Sequence, residues 1–91
     1  MSELNFTSIS WDRDDDPNGN VQHIARNNIS KEEVEDVLMN PSDMDTSRSS
    51  GRPIVFGDTR AGRHLLVVYE MIDSDTFYPI TAYDVPRRKE P

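Results

Sequence analysis

The spacing of apolar residues changes several times along this chain, and each change marks an expected element. Leu4, Phe6, Ile9 and Trp11 alternate in part, which predicts a short first strand over residues 9–12 with Trp11 packed into the core. Val21, Ile24 and Ala25 then recur at helical spacing. A first helix is therefore expected over residues 18–28, capped by Asp16 or Asn18 and ended by Asn28, a residue that tolerates the left-handed conformation. A stronger start signal follows at once. Ser30 with Glu33 has the form of a capping box, and Ile29 with Val34 that of the matching hydrophobic staple. The second helix is expected over residues 31–39, burying Val34, Val37 and Leu38 and turning Glu32, Glu33, Glu35 and Asp36 to solvent, with Pro41 as its stop.

Beyond Pro41 the pattern changes to strands. A short one is expected over residues 45–48. Two runs rich in β-branched and aromatic residues, 53–57 and 63–70, flank the Gly-containing turn 58–62 and read as an antiparallel hairpin. After a turn at 73–75, residues 76–83 form the last strand, where Pro79 cannot donate to a ladder and predicts a bulge or an unpaired side. Ile54, Phe56, Leu65, Val67 and Ile80 are the expected buried residues of this part. The whole reads as α+β: a short N-terminal strand, two helices, then a three- to four-stranded antiparallel sheet with helices on one face and the other face open. Strand alternation puts Arg63 and His64 on opposite faces, and puts Thr81 and Tyr83 on the open face if Ile80 and Ala82 face the helices.

Length and composition narrow the class. Ninety-one residues, 34% apolar and 30% charged, suit a single domain with a thin core, ordered over about residues 9–85 and frayed at the Arg87-Arg88-Lys89-Glu90-Pro91 tail. No apolar run is long enough to span a membrane, and Met1 to Ile9 lacks the pattern of a signal peptide. There is no cysteine, which excludes disulfides and thiolate chemistry and fits a cytoplasmic protein. A net charge of -7 argues against a generic polyanion binder. The acids concentrate in residues 1–46, however, while acids and bases nearly balance over 47–91, so the second half retains local basic character.

Asp14, Asp16, Asn18 and Gly19 match the opening of a calcium loop, but Ala25 stands where the bidentate acid belongs, so no metal is expected. The hairpin holds the more promising chemistry. His64 is of a type that titrates near neutrality, Arg52 and Arg63 can each grip a phosphate through two N–H groups, and Tyr83 can stack on a base or move a proton. Arg48 is a further well-placed cation. The competing structural roles are ion pairs from Arg52 and Arg63 to Asp58, Glu70 or helix acids.

The order Trp11-Asp12, helix, Ile29-Ser30-Lys31-Glu32-Glu33, then Arg52, Gly57, Gly62-Arg63, the apolar run Leu65 to Tyr69, and Ile80-Thr81-Ala82 resembles the BrnT family over about residues 9–85. Members are toxins of toxin–antitoxin pairs, similar in fold to the RelE ribonucleases. The resemblance implies a RelE/BrnT-like fold and a metal-independent endoribonuclease without cofactor, with RNA and a cognate antitoxin protein as partners. Arg52, Arg63, His64 and Tyr83 are its expected catalytic residues, and Arg26, Arg48 and Thr81 its expected RNA contacts. Two departures stand out: the family's Lys-His-Gly after the first helix is Arg26-Asn27-Asn28 here, and its Ser-Ala-Arg on the last strand is Thr81-Ala82-Tyr83. The alternative is a catalytically silent relative that binds a protein partner through the open face or an edge strand.

Overall fold

Five strands and two helices follow one another in the computed structural model, which describes residues 8–86: β1 (Ser8–Ile9), α1 (Asn20–Ala25), α2 (Lys31–Met39), β2 (Pro41–Thr46), β3 (Pro53–Asp58), β4 (His64–Asp73) and β5 (Thr76–Asp84). Leu4, Phe6 and the expected C-terminal tail lie outside the described residues. The strands form one mixed sheet in the order β1-β5-β4-β3-β2. The long hairpin is its centre: β3 pairs antiparallel with β4, and β4 with β5. This is the expected α+β class: the four strands after the helices pair antiparallel, and the short N-terminal strand joins them as a fifth, parallel to β5, which makes the sheet mixed. The parallel pair arises because the chain leaves β1 through the acidic loop and two helices before it returns to the sheet.

The helix ends follow from local chemistry. In α2, Ser30 Oγ accepts from the Glu33 N–H and Glu33 Oε1 accepts from the Ser30 N–H, completing the expected capping box. Ile29 and Val34 are both buried beneath it. The first helix is shorter than expected, six residues rather than eleven. At its start Gly19 is the capping residue and gives no side-chain bond, so neither Asp16 nor Asn18 caps it. Instead Asp12 Oδ2 accepts from the Asn20 N–H at 2.9 Å. At its end Asn28 takes φ 62°, with Ile29 N–H bonded to the Ile24 carbonyl and Asn28 N–H to that of Ala25. That pair of bonds is a Schellman termination, and it reverses the chain straight into α2.

The core lies between the helices and one sheet face. Ile24, Ile29, Val34, Val37 and Leu38 pack against Val55, Leu65, Val67, Tyr69, Phe77 and Ala82. Full burial of each such aliphatic side chain is worth about 1.5–3 kcal/mol. Tyr69 and Phe77 stack at 4.3 Å between ring centroids, and Ile9 and Trp11 close the side of the cluster. Among the expected buried residues Ile54, Leu65 and Val67 are buried, whereas Phe56 and Ile80 are only half-buried. Phe56 points to the open face. Ile80 falls at a register shift, where Val68 pairs with Thr81 and Tyr69 with Pro79, leaving Ile80 as the extra residue of a bulge beside Pro79.

Two strands differ in position. The first ends at Ile9, because Trp11 and Asp12 turn away toward the helices, where Trp11 Nε1 donates to Glu35 Oε2. The second lies at Pro41–Thr46 rather than 45–48. Residues 47–51 are instead the turn into β3, closed by Ser47 N–H to the Arg52 carbonyl at 2.7 Å and by Gly51 at φ 74°. The acids of α2 are also not a merely solvated face. Glu33 and Asp36 form ion pairs with Arg63 and Arg60, and Glu35 holds Trp11.

Candidate functional site

Directly opposed residues of neighbouring strands share a face, so the pairing register lays out the open side as rows. One row runs Asp43, Phe56, Leu66, Tyr83; the next runs Asp45, Ile54, Val68, Thr81. Asp58 and His64 bound these rows at one end, with Glu70 and Tyr78 at the other. The middle is therefore an apolar lane of Phe56, Leu66, Val68 and Ile54, flanked by Tyr83, which is 47% exposed. Carboxylates stand around it.

Four expected functional residues share this face: Arg52, His64, Thr81 and Tyr83. His64 Nδ1 lies 2.8 Å from Asp58 Oδ1, and its ring stacks on Phe56 at 6.2 Å between centroids. The carboxylate fixes the ring's orientation. Arg52, at the far end, donates from Nε to Glu70 Oε1 at 3.1 Å. Thr81 is half-buried beside Val68, and Tyr83 sits next to Leu66 at the rim.

The other three lie elsewhere. Arg63 faces the helices, as strand alternation predicts. Its Nη1 donates to the Asn28 carbonyl at 2.8 Å and to both Glu33 oxygens at 2.9 and 3.0 Å, while Nε and Nη2 reach Asp84 Oδ2. Hydrogen bonds to Asp84 and then Glu33 raise its pKa further, so it remains a cation locked to two carboxylates. Arg26 belongs to the helix layer and donates to the Pro17 carbonyl at 2.7 Å. Arg48 is exposed in the turn after β2.

A second polar cluster lies where the segment after β1 meets α1 and β5. Asn20 is 2% exposed, accepts from the Asp12 N–H, and donates to the Ser10 and Pro79 carbonyls. Tyr78 Oη donates to Asp12 Oδ2 at 2.6 Å. That bond, followed by the one from the Asn20 N–H, lowers the Asp12 pKa; its reciprocal effect pushes the Tyr78 hydroxyl up to about 12. Every polar group here is used to hold the fold.

Sequence reasoning passed over two partnerships. Asp58 and His64 flank the β3–β4 turn and could have been paired by counting outward from it. Asp12 with Tyr78 carries no such signal, being 66 residues apart. The acidic loop uses its oxygens internally: Asp16 Oδ1 accepts from the Asn18 N–H, and Asp14 Oδ1 pairs with Lys31. Among the described residues there is no cluster of metal-ligating side chains, and no helix is long and apolar enough to cross a membrane. Compared with protein-family models, curated proteins and solved structures, the chain has no significant match to any of them.

Proposed function

We propose that this chain is a cytoplasmic binding module, a relative of the BrnT and RelE toxins in fold, that engages a protein partner through the open face of its sheet. The observation that carries this reading is the lane of Phe56, Leu66, Val68 and Tyr83, left uncovered by the helices and rimmed by carboxylates. Such a face offers apolar area to a protein. The arginines best suited to phosphate are engaged: Arg63 with Glu33 and Asp84, Arg52 with Glu70. Leu66→Ala and Tyr83→Ala should weaken association with the product of the neighbouring reading frame, the place where an antitoxin would be encoded, without loss of folding. Undiminished binding by both variants would refute the face as the docking site.

The second reading is the ribonuclease toxin, and the Asp58–His64 pair favours it. An oriented imidazole one row from Tyr83 has the form of a proton-transfer site. On this reading purified protein cleaves RNA without added metal, and His64→Ala or Tyr83→Phe abolishes cleavage. On the binding reading the wild type cleaves no RNA, and its expression causes no growth arrest. Tyr83→Arg, which restores the family's residue, separates an inactive site from one lacking only that group.

A further inference from the structure

We infer that Asn18 is this chain's site of spontaneous deamidation, and that the isoaspartyl product unfastens the start of α1 from the sheet. Asn18 is followed by Gly19, which has no side chain to hinder attack by its own nitrogen. Asn20 and Asn28 precede the β-branched Val21 and Ile29, and Asn40 precedes Pro41, whose nitrogen carries no proton. Asn18 is exposed, and its side-chain amide bonds to none of the described residues. By contrast, Asn20 is buried and Asn27 donates to the Ala82 carbonyl. In the reaction the Gly19 nitrogen loses its proton and attacks Asn18 Cγ, and the side-chain nitrogen leaves as ammonia. Water then opens the cyclic imide at either carbonyl. Opening at one returns aspartate. Opening at the other gives isoaspartate, whose main chain runs through Cβ and Cγ and is longer by a methylene.

Packing fixes both the labile pair and the consequence of lengthening it. A Cβ at position 19 would stand 2.7 Å from Asp12 Cβ and 3.2 Å from Asp16 Cβ, so glycine has to follow Asn18. The φ of -84° is open to any residue, so the contact and not the backbone conformation sets this requirement. Anchors stand on both sides of the bond. Before it, the Pro17 carbonyl accepts from Arg26 Nη2 at 2.7 Å. After it, the Asn20 N–H is held by Asp12 at 2.9 Å, and Asn20 Nδ2 donates to the Ser10 and Pro79 carbonyls at 3.1 and 2.8 Å. Gly19 itself is buried and cannot move toward Asp12. An added methylene is therefore absorbed by release of Asn20, the residue that ties α1 to β5. Aspartate at position 18 keeps the backbone at its natural length and places its charge at an exposed position, so it disturbs none of these bonds.

The test ages the full chain at mildly alkaline pH and maps it by proteolysis and mass spectrometry, with isoaspartate measured by an isoaspartyl O-methyltransferase. Conversion should appear first in the fragment that holds Asn18, and Asn18→Gln should abolish it there. Chromatography of the aged chain should give an isoaspartyl form with a lower urea midpoint, in which the Asn20 amide has lost its protection from hydrogen exchange. The aspartyl form and freshly made Asn18→Asp should match the unaged chain in both measurements. Earlier conversion at another asparagine, or none at Asn18, would overturn the site. An isoaspartyl form as stable as the unaged chain, with the Asn20 amide still protected, would overturn the coupling to α1. An equal loss of stability in Asn18→Asp would show that the added charge, and not the lengthened backbone, is responsible, and would overturn that coupling too.

Discussion

Arg63 and Glu33 are joined by two bonds of 2.9 and 3.0 Å, and Glu33 is at the same time the third residue of the α2 capping box. One carboxylate therefore serves the Ser30 N–H and the guanidinium together. The same arginine reaches Asp84 at the end of β5, so it ties the start of α2 to the start of β4 and the end of β5.

Removing that tie should be costly. Arg63→Ala leaves Glu33, Asp84 and the Asn28 carbonyl without their shared donor, and the pair with Glu33 is only 28% and 22% exposed. Urea denaturation should show a loss of about 2–3 kcal/mol. Arg63→Lys should recover only part of it, because an ammonium cannot fork between two carboxylates. Arg52→Ala, which breaks an exposed pair with Glu70, should cost less than about 1 kcal/mol. Equal effects for the two alanine variants would contradict this division.

Stability should depend on pH through Tyr78 and Asp12. Asp12 has a lowered pKa in the folded protein, first through Tyr78 and then through the Asn20 N–H. Its contribution is present above the unfolded aspartate value of about 4 and is lost as pH falls through the folded value. The raised Tyr78 acts at the other end. Its contribution is complete below the unfolded tyrosine value of about 10 and is lost as pH rises through about 12. Tyr78→Phe should therefore be less stable than the wild type at neutral pH, with the gap closing below pH 4. Denaturation midpoints across that range provide the measurement, and a gap independent of pH would refute the linkage.

The elements with dense local signals were legible in the chain. Ser30 with Glu33 and Ile29 with Val34 placed α2, Asn28 marked the left-handed end of the first helix, and Pro79 announced the bulge. What escaped depends on contacts distant in sequence. Asp12 rather than Asp16 serves the start of α1, because the segment after β1 returns to that point in three dimensions. The parallel pairing of β1 with β5 has no local signature at all. Phe56 reads as core by composition, but strand alternation places it opposite Leu66 on the open face. Of the expected site, the shared face of Thr81 and Tyr83 and the opposite faces of Arg63 and His64 were readable from alternation; that His64 is the one beside them was not. The carboxylate partners of Arg52 and Arg63 were readable only as a class.

Gly57 on β3 is a close-approach position. A Cβ there would stand 3.0 Å from Val37 Cγ1 and 3.1 Å from the Asn40 carbonyl oxygen, so α2 would have to withdraw. Gly57→Ala should destabilise the fold by about 1–3 kcal/mol, the range for overpacking. Adding Val37→Ala removes the nearer atom, so the double variant should lose less than the sum of the single losses. Strict additivity by urea denaturation would show that the contact with Val37 is not the cause.

Asp43 and Asp45 give the last prediction. Edge strands invite pairing with a second chain, and inward-bonded acids are one way of refusing it. Asp43→Ala with Asp45→Ala removes the acceptors for the Met44 and Thr46 amides and two negative charges from β2. The double variant should self-associate in a concentration-dependent way, detectable by sedimentation equilibrium, with new exchange protection at Met44 and Thr46. The double asparagine variant keeps both acceptors and lacks only the charges, so it should remain closer to the wild type. If both variants associate equally, charge repulsion alone guards the edge; if neither does, the aspartates have no part in it. Association by the alanine pair alone would assign the protection to the two hydrogen bonds.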